Sequence, residues 1–71
     1  AIQFFKKVNT LKEAINLRDE WKEHFGSHYQ KFMFKKCIAY NIFDDNNNYI
    51  GCIAILKINN EYVVGFDNTY R

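Results

Sequence analysis

The chain has no proline, three glycines and two cysteines, and it has no long apolar run free of charge. Each scarcity excludes something. Without an uncharged stretch of about 20 apolar residues or a signal-peptide pattern, neither a membrane-spanning helix nor a secretory leader is expected, and the expectation is a soluble, cytoplasmic protein. The cysteines, Cys37 and Cys52, both fall in predicted strands and have no companion ligands at metal spacing. Zinc is therefore not expected, and both read as small apolar side chains rather than a disulfide. The missing proline, set beside many Lys, Asn, Ile, Phe and Tyr, hints at an AT-rich coding sequence and says nothing about mechanism. Chemistry-bearing sets are absent too. The sequence holds no Ser/His/Asp set, no paired carboxylates at catalytic spacing and no complete glycine-rich phosphate loop, so hydrolase and kinase readings have no support.

Charge of one sign is also lacking. The formal net charge is +2, basic residues alternate with acidic ones, and basic runs such as Lys35-Lys36 do not exceed two residues, too little to point to nucleic acid. What is present is apolar material. A 48% hydrophobic and 18% aromatic composition supplies a core and argues against disorder, although 71 residues make at most one domain, and a marginal one.

The last third organises the rest. Tyr49–Ile58 and Glu61–Asp67 read as antiparallel strands around an Asn59-Asn60 turn, because asparagine tolerates positive φ and suits a two-residue hairpin. That turn would set Ile58 against Glu61, Leu56 against Val63 and Ile55 against Val64. Alternation puts Ile50, Cys52, Ala54, Leu56 and Ile58 on one face and Ile53 and Ile55 on the other. Both faces are apolar, which predicts a strand interior to a sheet covered on both sides.

Upstream, Ile2–Val8 is β-rich with no turn residue before Asn9, and Thr10-Leu-Lys-Glu13 matches a capping box that opens a helix. Leu11, Ala14, Ile15, Leu17, Trp21 and Phe25 recur at helical spacing until Gly26, which predicts a core-facing stripe. Trp21 and Phe25 could line a cleft, but their spacing favours the core. Ser27–Phe34 fits either a short second helix capped by Ser27 or an aromatic-rich connection. Cys37–Phe43 is a further strand, and Asp44–Asn48 a loop. The expected fold is α+β in a single domain, strand, helix, possible short helix and three strands, with a mostly antiparallel sheet packed on one main helix.

This order resembles the N-terminal half of the GNAT superfamily of acyltransferases. Thr10-Leu-Lys-Glu-Ala-Ile-Asn-Leu-Arg-Asp-Glu20 is similar to the family's first helix. Asp45-Asn-Asn-Asn-Tyr-Ile-Gly-Cys-Ile-Ala-Ile-Leu56 looks like its loop and following strand, and Val64-Gly-Phe-Asp-Asn-Thr-Tyr-Arg71 lies on the strand leading to its phosphate motif, with Asn68 where the family usually has proline. The resemblance implies acetyl-CoA as co-substrate and transfer of an acetyl group to an amine acceptor. It also implies a splayed last strand whose backbone at Val64, Gly65 and Phe66 pairs with the pantetheine arm. Glu61 would be the base for the amine, Tyr62, or Tyr70, the acid for the leaving thiolate, and Arg71 the first residue of an R/Q-x-x-G-x-G phosphate motif. The glycines of that motif are not among the 71 residues, so the resemblance implies half of such a domain, inactive by itself.

Taken from the residues alone, Val64 and Phe66 could be ordinary core and Gly65 a bulge, Glu61 an exposed turn residue, and His28 a solvated loop residue. A non-enzymatic alternative is a small sheet module presenting Tyr40, Tyr62, Phe66 and Lys57 to a protein or to single-stranded nucleic acid. An open sheet edge would favour a homo-oligomer.

Overall fold

A computed structural model describes residues 2–68. The elements run β1 (Ile2–Val8), α1 (Leu11–Phe25), β2 (His28–Phe34), β3 (Cys37–Phe43), β4 (Tyr49–Ile58) and β5 (Glu61–Asp67). The five strands form one antiparallel sheet in the order β1-β5-β4-β3-β2, with α1 packed on one face.

The α+β expectation holds at that level, and the β4–β5 hairpin has the expected register: Ile58 opposite Glu61, Leu56 opposite Val63, Ile55 opposite Val64. Asn59 and Asn60 take φ of 49° and 66°, the left-handed pair that a two-residue turn requires. One element differs. Ser27–Phe34 does not hold a short helix, because His28–Phe34 pairs with β3 along its whole length. The turn that closes this hairpin is Lys35-Lys36, at φ of 49° and 68°. Lysine gives no sign of such a turn in sequence and is strained in it. Lys35→Asn combined with Lys36→Gly is expected to raise stability by about 1 kcal/mol, seen as a higher denaturant midpoint at unchanged slope. A lower midpoint would show that the turn has another shape.

Helix α1 starts as its sequence says. Thr10 Oγ1 accepts from the Glu13 amide at 3.2 Å, and its hydroxyl donates to the Glu13 carboxylate at 3.1 Å. Ala14, Ile42, Ile53, Ile55, Val64 and Phe66 form the buried core between α1 and the sheet, with Leu17, Trp21 and Phe25 packed against it. Leu11 and Ile15, expected on the same stripe, are partly exposed, and Arg18 is buried in their stead. Its Nη1 donates to the Ile38 carbonyl at 3.0 Å, Nε and Nη2 both donate to Asp19 Oδ1, and the guanidinium lies 5.2 Å from the Tyr40 ring centre. The charge is tolerated because its donors are engaged. Lys22 reaches over Tyr29 and Tyr40 at 4.8 and 4.5 Å, so the β2 side of the helix is held by cation–π contacts rather than by aliphatic packing.

The β3–β4 loop is ordered by Asp44. Its Oδ1 accepts from the amides of Asn46 and Asn48, both at 2.9 Å, and Ser27 donates to Asp45 across the loop. These bonds, that from the Asn48 amide foremost, hold the Asp44 carboxyl below its usual value of 3.8. A folded pKa below the unfolded one adds stability that is complete above the unfolded value and is lost as pH falls through the folded one. Acidification below about pH 4 is therefore expected to loosen this loop first. A carboxyl titration of Asp44 followed by NMR checks it, and a midpoint at or above that of a free aspartate would refute it.

Candidate functional site

The register sorts the sheet into two faces. Tyr40, Ile42, Ile53, Ile55, Val64 and Phe66 look toward α1. On the other face, among the described residues, no helix lies. There the rows read Asp67, Cys52, Asn41 at one end, then Phe5, Gly65, Ala54 with Ala39 and Phe32 across the middle, then Lys7, Val63, Leu56 with Cys37 and Phe34. Small side chains floor the middle and larger ones stand at its sides. The result is an open groove of about 170 Å³ with Ala54, Leu56 and Gly65 in its floor, Phe32 and Phe34 on the β2 side and Ile2 on the β1 side. Asp67 and Cys52 line its far end. The expectation that β4 is covered on both faces is thus half met: α1 covers Ile53 and Ile55, and Cys52, Ala54 and Leu56 face the groove.

Gly65 sits in a regular stretch, paired with Phe5 and Ala54, and neither bulges nor departs from ordinary φ. A methyl added there would meet Ile2 at 3.6 Å, an ordinary contact, so the position is small without being sterically forced.

Among the described residues, those expected to form a catalytic cradle are not brought together. Strand β5 is not splayed. Val64, Gly65 and Phe66 pair with Lys6, Phe5 and Phe4 on one side and with Ile55, Ala54 and Ile53 on the other, so a sheet neighbour already occupies each border where a pantetheine arm was expected. The reason lies in β1, which inserts beside β5 and makes it an interior strand. Glu61 and Tyr62 are consecutive on one strand and so point to opposite faces, Glu61 exposed beside the hairpin turn and Tyr62 half-buried on the helix side with Lys57 Nζ 5.7 Å from its ring centre. Tyr70 and Arg71 lie outside the described residues. The aromatic platform also dissolves, because Tyr40 and Phe66 are buried beneath α1. His28 starts β2 opposite Phe43.

Both cysteines are free and half-buried on the groove face. Burial first, and then the Asp67 carboxylate, raise the Cys52 thiol above its ordinary value, so little thiolate is present near neutral pH and the group is a poor nucleophile. Among the described residues there is no cluster of three or more His, Cys, Asp or Glu that could hold a metal, and no helix is long and apolar enough to cross a membrane. A second hollow, between α1 and β1, is shallow and lined by Lys6, Glu13, Asn16 and Glu20 beside Val8 and Leu17.

Sequence reasoning missed the groove, although its signal was there: a strand apolar on both faces in a chain with a single helix to cover it. The chain matches no protein-family model, no curated protein and no solved structure.

Proposed function

We propose that these residues form a binding module whose working surface is the helix-free face of the sheet, and that the module holds an apolar ligand without transforming it. The observation that carries this is the groove itself: a floor of Ala54, Leu56 and Gly65 flanked by Phe32, Phe34 and Ile2, open to solvent in a fold that buries its other face. A concave apolar site with a few polar groups at one end is the usual form of a small-molecule site, and an uncovered apolar face costs solubility unless something occupies it. The acyltransferase expectation needs an opened backbone at Val64–Phe66 and an acid and a base converging on one face. Two-sided pairing of β5 and the opposed directions of Glu61 and Tyr62 favour the binding module instead.

A neutral solvatochromic dye such as Nile red tests the reading. The wild-type chain is expected to bind it with a blue shift, and Gly65→Phe, which places a ring in the groove beside Ile2, is expected to abolish binding while far-UV circular dichroism is retained. Ala54→Leu is a second, milder block from the neighbouring strand. Equal dye binding by wild type and both folded variants would locate the apolar surface elsewhere and defeat the proposal.

A further inference from the structure

The two ends of the groove differ in charge, and the difference selects a ligand. Strand directions put the Lys35-Lys36 and Asn59-Asn60 turns, together with the Lys7 end of β1, at one end, and the Asp44–Asn48 loop with Asp67 at the other. At the turn end Lys35 Nζ lies 5.8 Å from the ring centre of Phe34, a wall residue of the groove, so that this ammonium hangs at the groove's mouth. Lys7 approaches from the opposite border, paired with Val63, which is itself paired with the floor residue Leu56. Lys36 completes the turn, and Glu61, opposite Ile58, is the one acidic side chain that the strands put on the helix-free face at this end among the described residues, Glu13 lying on the helix side. Three lysines against one glutamate leave it basic. At the far end Asp67 lines the groove, and Asp44 and Asp45 stand in the neighbouring loop with His28.

From this arrangement we infer that the groove takes a free single-chain carboxylate amphiphile, its alkyl tail along Leu56, Ala54 and Cys52 and its carboxylate at the basic end, nearest Lys35 and within the field of Lys7. The inference rests on the binding-module reading and adds to it the head group and the direction of the ligand. Length fits. Leu56 to Cys52 is four residues along β4, about 13 Å at the usual rise per residue, which matches an extended medium-length alkyl chain. Charge fixes the direction, because a carboxylate at the other end would face Asp67. A cationic amphiphile would have to reverse, setting its head among the acidic groups. Among the described residues that end has a single carboxylate in the groove wall, whereas Lys7 and Lys35 stand at the two borders of the other end.

Decanoate and decyltrimethylammonium carry tails of equal length and heads of opposite charge, so competition between each of them and a groove-bound neutral dye isolates the head. At low ionic strength decanoate is expected to displace the dye at a concentration about tenfold below that needed by the ammonium compound. Salt should narrow the gap, and Lys7→Glu combined with Lys35→Glu should reverse the preference. Both substitutions are at exposed positions, and circular dichroism confirms the fold. In the decanoate complex, NMR shifts should appear at the Leu56 and Ala54 methyls and at Lys35. Equal displacement by the two heads, a preference unchanged by the double substitution, or association with anionic vesicles without displacement by monomeric decanoate would each overturn the inference while leaving the binding module standing. Failure of the wild-type chain to bind the neutral dye at all would remove both.

Discussion

Gly26→Ala is expected to cost about 2–4 kcal/mol and to lower the thermal midpoint by roughly 10–25 °C. Backbone conformation is not the reason. Gly26 has φ −149° and ψ 177°, extended geometry that alanine adopts freely. Space is the reason. A β-carbon at this position would overlap Cγ2 of Ile42 and come within 2.9 Å of the Phe43 carbonyl oxygen. Neither neighbour can yield easily. Ile42 is fully buried in the core, and the Phe43 carbonyl accepts from the Ser27 amide at 2.9 Å, the bond that fastens the exit of α1 to β3. Roughly 4–10 kcal/mol of total stability is typical of a chain this size, so the loss would be a large share. Ile42→Ala removes the clashing methyl at its own cost, so the double variant should be more stable, by at least about 1 kcal/mol, than the sum of the single effects implies. Additive costs, or a Gly26→Ala midpoint within a degree or two of wild type, would show that the helix exit does not approach β3 this closely.

That glycine also shows how far the sequence could be read. It signals a helix end, and α1 does end there, but the ordinary meaning of such a signal is a left-handed cap, whereas the position is needed for a tertiary contact with a strand 16 residues further on. Local chemistry was legible wherever the deciding residues were neighbours. Thr10 and Glu13 fixed the start of α1, and Asn59-Asn60 fixed both a turn and, through it, every pair of the β4–β5 hairpin. Strand β2 was hidden because its turn is Lys35-Lys36, which carries no turn chemistry and is held in the left-handed region by the strands it joins. The partner of β1 was hidden for another reason: a first strand can join a meander at either border, and no local pattern tells which. Here it joins β5, and that one choice separates an interior last strand from a splayed one. The candidate site followed from the same choice. With β5 closed on both sides the chain's free surface is a face of the sheet, and its lining comes from alternate residues of four strands, each unremarkable in its own segment.

Phe25→Ala is expected to cost about 3 kcal/mol, the low end for a phenylalanine truncation because the residue is half-buried. Phe25 is the last residue of α1, and its ring lies flat against Phe66 of β5, with centroids 4.3 Å apart and planes inclined by 8°. Phe4 of β1 stacks on it from the other border at 5.7 Å, and Trp21 and His24 meet it edge-on at 6.0 and 5.4 Å. One ring therefore joins the end of the helix to two strands far apart in the chain, so removing it leaves a void that Phe4, Trp21 and Phe66 border without a partner to close it. Phe4→Ala is the informative contrast. Phe4 is 54% exposed and touches the same cluster, so its loss removes less apolar area from contact and should cost only about 1 kcal/mol. Denaturant titrations followed by Trp21 fluorescence read both variants, and the native-state emission should shift toward that of an exposed indole in Phe25→Ala alone. Equal costs for the two phenylalanines would mean that the cluster is held together from the sheet edge and that the end of α1 merely rests on it.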